Sequence, residues 1–292
     1  MRAIVFALIL ICAVHPATAD QVEVRSVETG GSVPEARFVE RLRAADVIIL
    51  GETHDNSHHH RNQAWVIQRI GAVALVAEMI QSRDEARITE HLADGGDVAE
   101  IGPMVDWDKT GWPKWAIYLP VFEALPSGAS VFGASLPREE VRRVMTEPAS
   151  AILPDPVVAP LLETPLPPDL QAEVEQEMVE SHCGELPKEM APMMVSAQRL
   201  RDASLAAAVL RARDQVDGPI VVIAGNGHAR RDRGMPYYLA QVAPDLNIIV
   251  VGQIEDDGSV KVREAAGIYD YVWLTPVHQR PDPCEALRKR KK

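Results

Sequence analysis

Four side chains in this sequence have the types and spacing for acid–base or metal chemistry: Glu52, His54, Glu78 and His228. Asp46-Val-Ile-Ile-Leu50 is a mostly apolar run of strand length that leads into Gly51-Glu52-Thr53-His54. Pro219 to Ala224 repeats the design and ends in Gly225-Asn226-Gly227-His228. Each glycine permits a sharp or positive-φ turn as the strand ends, and the histidine three residues on projects over the sheet edge as base, ligand or hydrogen-bonding group. One Gly-x-x-His is a weak signal, because a lone histidine at a strand end is commonly structural. Two copies at the ends of two apolar runs point to one shared site at the carboxyl edge of a sheet.

Glu78 lies near the carboxyl end of a third apolar run, Ala72 to Met79. A carboxylate buried there needs a cation, a metal or hydrogen-bond donors, and an ion pair with a neighbouring arginine is the purely structural alternative. His54, Glu78 and His228, with Glu52, make a donor set for a divalent ion of the zinc, manganese or cobalt kind. One carboxylate would bind the metal and the other act as general base. In a metal-free variant His54 is the base toward water and Glu52 orients it. His58, four residues after His54, is expected near the site, with His59 and His60 turned away.

These residues need a scaffold. Strand and helix patterns alternate from Asp46 to Glu147, which predicts an α/β fold with a mainly parallel sheet flanked by helices. Pro148 to Pro168 holds seven prolines and reads as a linker or covering loop. Helices over 169–182 and 188–215 follow, so a smaller helical domain is inserted into the sheet domain. The division is 20–147 for the first part of the α/β domain, 148–216 for linker and helical subdomain, 217–280 for its second part and 281–292 for a basic tail. Val260 to Arg263 and Tyr271 to Leu274 are expected to pair as a terminal hairpin. Asp106 to Tyr118 carries three of the five tryptophans and is either a hydrophobic clasp or a pocket wall.

Residues 1–19 read as a secretory signal: Arg2, an apolar stretch from Ala3 to Val14, then Ala17-Thr18-Ala19 as cleavage site. Cys12 lacks the small residue expected before a lipidated cysteine, so periplasmic or secreted export without a lipid anchor is expected. The formal charge of −12 becomes −18 without Arg2 and Arg288 to Lys292, a balance that disfavours nucleic acid. Cys183 and Cys284 are the two cysteines left after cleavage. They read as a disulfide, as free thiols, or with Cys183 beside His182 as a metal or haem ligand.

Gly51-Glu52-Thr53-His54-Asp55-Asn56-Ser57-His58-His59-His60, the Asp106 to Trp115 stretch, His182-Cys183-Gly184, Ala197-Gln198, Arg201-Asp202-Ala203 and Gly225 to Arg230 together resemble the ChaN family of exported bacterial haem-binding proteins. The paired Gly-x-x-His motifs with a glutamate also resemble the wider superfamily of TIKI metalloproteases and erythromycin esterases. The resemblance implies an α/β domain with a smaller helical one, and haem as cofactor, with two copies of the chain around it as one arrangement. It makes His54 and His228 the paired motif histidines. An outer-membrane haem receptor and a second copy of the chain are the partners to expect. Haem binding needs an apolar slot, an axial ligand and cations for two propionates. The methionine-bearing helix over 188–215 offers the slot, Arg199, Arg201, Arg230, Arg231 and Arg233 the cations, and His54, Tyr118, His182, His228, Tyr237 and Tyr238 the ligands. The alternatives are a metal-dependent hydrolase on the two motifs, and an interaction module in which the histidines are structural.

Overall fold

The apolar runs become the middle of one seven-stranded sheet. The computed structural model describes residues 23–282 and 284–285; the expected signal segment and most of the basic tail lie outside them. The strands are β1 (Val24–Ser26), β2 (Val47–Glu52), β3 (Ala74–Gln81), β4 (Ser130–Ser135), β5 (Ile220–Gly225), β6 (Ile248–Glu255) and β7 (Tyr271–Thr275). Their order is β1-β7-β6-β2-β5-β3-β4. All neighbours are parallel except β1 and β7. The expected terminal hairpin is not formed. Val262–Ala265 is a 3₁₀ turn, and β7 lies parallel to β6 and antiparallel to β1. The stretch between β6 and β7 is long enough for the crossover that parallel pairing requires.

Helices α1 (Glu35–Arg43) and α2 (Ser57–Ile70) flank β2 in the chain, and α3 (Glu85–Ala93), α4 (Ile101–Met104), α5 (Trp107–Thr110) and α6 (Trp115–Glu123) lie between β3 and β4. The helical insertion between β4 and β5 comprises α7 (Arg138–Arg142), α8 (Ala149–Ile152), α9 (Pro168–Ser181) and α10 (Ala191–Gln215). Helix α7 stops at Arg142 and the chain continues as a 3₁₀ turn over Arg143–Met145. Helix α9 and the start of α10 share a small core of Leu166, Val174 and Val195. From Leu200 onward α10 packs on the sheet itself. Helix α11 (Met235–Val242) follows β5. No helix among the described residues is long and apolar enough to cross a membrane.

Every residue of β2 and β5 is buried, as continuous apolar strands in the middle of a parallel sheet must be. From β2 the chain crosses β5 to reach β3, and from β5 it crosses β2 to reach β6. The two crossovers depart in opposite directions, which leaves a crevice at the carboxyl ends of β2 and β5. Alternation along each strand then assigns side chains to faces. Ile48 and Leu50 pack with α2, while Val47 and Ile49 pack with α10 and α11. By the same count Glu52 falls on the α2 face, and Glu78, two beyond Val76, falls on the α10 face.

Candidate functional site

The two Gly-x-x-His motifs are interlocked. Strands β2 and β5 pair in register so that Glu52 lies beside Gly225. A methyl group on Gly51 would stand 2.2 Å from Asn226 Oδ1, and one on Gly225 would stand 3.0 Å from His54 Nε2. Each glycine therefore makes room for a side chain of the other motif. Neither has a positive φ, so close approach rather than an unusual turn requires glycine. Asn226 is fixed in that space: its Nδ2 donates to the Gln253 carbonyl at 2.7 Å and its Oδ1 accepts from the Gln253 amide at 3.1 Å. Gly51→Ala should cost about 1–3 kcal/mol through overpacking. Thermal unfolding checks this, and Asn226→Ala in the same chain should recover part of the loss.

Five ionisable groups form an alternating row across the crevice. His54 Nδ1 donates to Glu52 Oε1 at 2.8 Å. His54 Nε2 stands 4.0 Å from Glu78 Oε2, and His228 Nε2 stands 3.5 Å from Glu78 Oε1. His228 Nδ1 is 2.6 Å from Asp202 Oδ1 on α10. The row thus runs Glu52, His54, Glu78, His228, Asp202, carboxylate and imidazole in turn. Burial alone would drive the proton off His228, but Glu78 and Asp202 outweigh it and raise its pKa to about 9. Burial likewise opposes a charge on His54, and the hydrogen bond to Glu52 with the nearby Glu78 raises its pKa instead.

Glu52 is the best supported member. Burial would push its carboxyl up, yet His60 and His54 hold it well below the ordinary value. Tyr118 Oη donates to Glu52 Oε1 at 2.8 Å and Gln63 Nε2 donates to Oε2 at 2.7 Å. His60 Nε2 lies 3.4 Å from Oε2, and its ring stacks on Tyr118 at 4.0 Å. His59 accepts from the Thr53 amide at Nδ1 and so donates from Nε2 to Thr275 Oγ1. Burial lowers its pKa to about 4, in keeping with a neutral ring. The expectation for the three consecutive histidines is corrected: His59 and His60 are buried against the site, while His58 pairs with Arg61 at 2.9 Å.

Glu78 owes its position to a bulge. The pairing of β3 with β4 slips between Ala77 and Gln81, and Gly133 lets the backbone of Ile80 and Gln81 come within 2.5–2.7 Å of where its methyl would be. The bulge leaves Glu78 facing β5, where its Oε2 accepts the Gly225 amide at 2.7 Å.

A cleft of about 550 Å³ opens beside Glu78 and His228, a volume in the range of small-molecule sites. Trp112, Leu136 and Leu205 give it apolar walls, and Arg83, Lys109, Arg138 and Arg201 give it four cations. The tryptophan-rich stretch divides between its two expected roles. Trp107 and Trp115 clasp each other at 4.9 Å beside Tyr118 and Phe122, while Trp112 lines the cleft and meets His54 edge to face at 4.8 Å.

Of the five arginines expected to serve an anionic ligand, four are engaged elsewhere. Arg199 donates to Tyr238 Oη and to the Leu161 and Thr164 carbonyls. Arg230 pairs with Asp232, Arg231 with Asp270, and Arg233 with Glu173 and Glu177. Arg201 lines the cleft, half-buried, with no hydrogen bond or ion pair among the described residues. Tyr118 and Tyr238 are fully buried, and Tyr237 is half-buried against Tyr238. His182 Nδ1 is bound to the Met178 carbonyl at 2.7 Å, and Cys183 is joined to Cys284 with Cα atoms 5.6 Å apart. His182, Tyr237, Tyr238 and Arg230 do not line the cleft. Among the described residues no group of three or more His, Cys, Asp and Glu side chains is arranged to hold a metal ion.

The fold is shared with a solved structure. ChaN of Campylobacter jejuni, in a structure describing cofacial haem binding, aligns over 85% of this chain and 94% of its own, with a TM-score of 0.67 and 21% identity. The type III effector HopBA1 aligns over 89% of this chain and 99% of its own at 16% identity, with a TM-score of 0.47. No curated protein matches the chain in sequence. The family model described as haem-binding uptake, Tiki superfamily, ChaN spans residues 38–239, from α1 through both Gly-x-x-His motifs to α11, and the chain belongs to that family.

Proposed function

We propose that this chain is an exported haem-binding protein of iron uptake and that it takes haem in the cleft beside His228. Membership of a haem-binding uptake family supports the reading, as does the cofacial haem of the structurally similar Campylobacter jejuni protein. The observation that carries it to this cleft is Arg201. Among the described residues its guanidinium has no hydrogen bond or ion pair, and a ligand carboxylate in the cleft would gain charge-assisted hydrogen bonds from it. Arg138, whose Nη2 donates to the Thr110 carbonyl at 3.0 Å, lines the same cleft and forms no ion pair among the described residues. Two guanidiniums match two propionates in charge, and Trp112 and Leu205 offer the ring apolar surface. The disulfide belongs with a periplasmic or secreted protein. An outer-membrane haem receptor and a second copy of the chain are the partners this reading calls for.

Arg201→Ala should weaken haemin binding by about tenfold or more, as expected for a lost hydrogen bond to a charged group of about 1.5–3 kcal/mol. An absorbance titration of the purified chain decides it, and an unchanged affinity would move the site elsewhere.

A second reading rests on the alternating row, which is equipped to move a proton. In it His54 is the base toward water, held by Glu52, and Glu78 with His228 faces the scissile group in the cleft. Ester or peptide hydrolysis that disappears in His54→Ala and in His228→Ala would favour it over carriage.

A further inference from the structure

The cleft presents its ligand with cations and an aromatic wall, but every side chain expected to coordinate iron is already engaged or lies outside it. His54 directs Nδ1 to Glu52 at 2.8 Å and Nε2 toward Glu78 at 4.0 Å. His228 directs Nδ1 to Asp202 at 2.6 Å and Nε2 to Glu78 at 3.5 Å. His228 therefore has a carboxylate opposite both nitrogens, an arrangement that favours N–H at both, while His54, hydrogen-bonded through Nδ1 alone, is not among the residues that line the cleft. Tyr118 donates its hydroxyl to Glu52, and Tyr238 receives Arg199. His182 is bound to a backbone carbonyl and the two described cysteines are joined to each other. Arg138 and Arg201 offer the cleft two guanidiniums for carboxylates, while no histidine, tyrosine or cysteine among the described residues that line it has a nitrogen, oxygen or sulfur turned free toward an iron.

We infer that this chain recognises the dicarboxylate tetrapyrrole rather than its metal: it binds iron-free and iron-loaded porphyrins alike, through Arg138, Arg201 and the face of Trp112. This deepens the haem-binding reading and rests on it. The physical reason is that two guanidinium–carboxylate contacts and a stacked ring are indifferent to what sits at the centre of the macrocycle. Esterified propionates lose the charge that the guanidiniums compensate, so the ester form should be discriminated against strongly.

The test titrates the purified chain with haemin, metal-free protoporphyrin IX and protoporphyrin IX dimethyl ester, following quenching of tryptophan fluorescence, a readout common to all three. The expected result is dissociation constants for haemin and the free porphyrin within about threefold of each other. The diester should bind at least tenfold more weakly, and Arg138→Ala with Arg201→Ala should weaken both diacids to the same extent. Circular dichroism of the double variant separates a lost contact from a lost fold, and Arg201→Lys should restore part of the affinity. Haemin bound tenfold or more tightly than the free porphyrin would overturn the inference while leaving haem carriage standing. Failure of all three porphyrins to bind would overturn the inference together with the reading beneath it.

Discussion

Glu52→Ala should destabilise the protein by about 3–5 kcal/mol, the usual cost of removing one partner from a buried, paired charge. The replacement strips the acceptor from His54, Tyr118 and Gln63 at once and leaves those donors facing apolar surroundings on the α2 side of the sheet. Glu52→Gln keeps an acceptor for Tyr118 but turns an amide N–H toward existing donors, so a smaller loss of about 1–3 kcal/mol follows. Denaturant titration measures both. A second readout is specific to the pairing: the pKa of His54, raised in the intact site partly by its bond to Glu52, should fall in Glu52→Ala, and an NMR titration of that ring reports it. The same carboxylate makes stability depend on pH with a definite sign. Its folded pKa lies below the ordinary 4.5, so its contribution is present above that value and is lost as pH falls through the lowered folded one. Acid unfolding of the wild type should therefore be steeper than that of Glu52→Gln. Coincident acid transitions would mean that Glu52 is not held as a carboxylate.

Much of the scaffold was legible because buried parallel strands announce themselves as continuous apolar runs. Val47–Glu52, Ala74–Gln81 and Ile220–Gly225 fall where those runs predict, and alternation along the first two assigns Glu52 and Glu78 to opposite faces. For the three consecutive histidines, spacing from His54 gives the wrong helical phase, because His54 precedes the helix. Asn56 is the N-cap, accepting the His58 amide at 2.9 Å, so the helical phase starts at Ser57. Counted from there, His60, Gln63, Ala64 and Ile67 share one stripe, and that stripe faces the sheet. Asp202 carried a readable signal too, as a single carboxylate at the head of the apolar run Ala203 to Leu210, where only a partner such as His228 makes burial tolerable. The remaining gap is one of distance. Nothing local says that Arg201 lacks a partner while Arg231 has Asp270, because pairs separated by tens of residues are set by the crossover order of the strands. The hairpin expected at the end fails because Val262–Ala265 turns as a 3₁₀ helix instead of extending, and Tyr271–Thr275 pairs with β6 and β1.

Removing the bond between Cys183 and Cys284 should cost about 2–4 kcal/mol, because it closes a span of 101 residues and so restricts the unfolded chain strongly. The tie joins the end of α9 in the helical insertion to the segment that follows β7. That segment has another anchor at Arg280, which reaches both Asp55, next to His54, and Glu255. The hydrogen bonds from Arg280 bring the Glu255 carboxyl down to about 2, and Asn56 adds a 2.7 Å contact to the same group. With this ionic anchor intact, the reduced protein should keep its native fold and lose stability chiefly through the freed chain. The Cys183→Ser, Cys284→Ser double variant and the reduced wild type should therefore unfold at the same denaturant midpoint, both below that of the oxidised protein. If each single serine variant already matches the oxidised wild type, the sulfurs are not joined in solution. If the double variant loses far more than the chain-entropy amount, the bond holds native packing of α9 in place, and Arg280→Ala added to it should then deepen the loss more than additively.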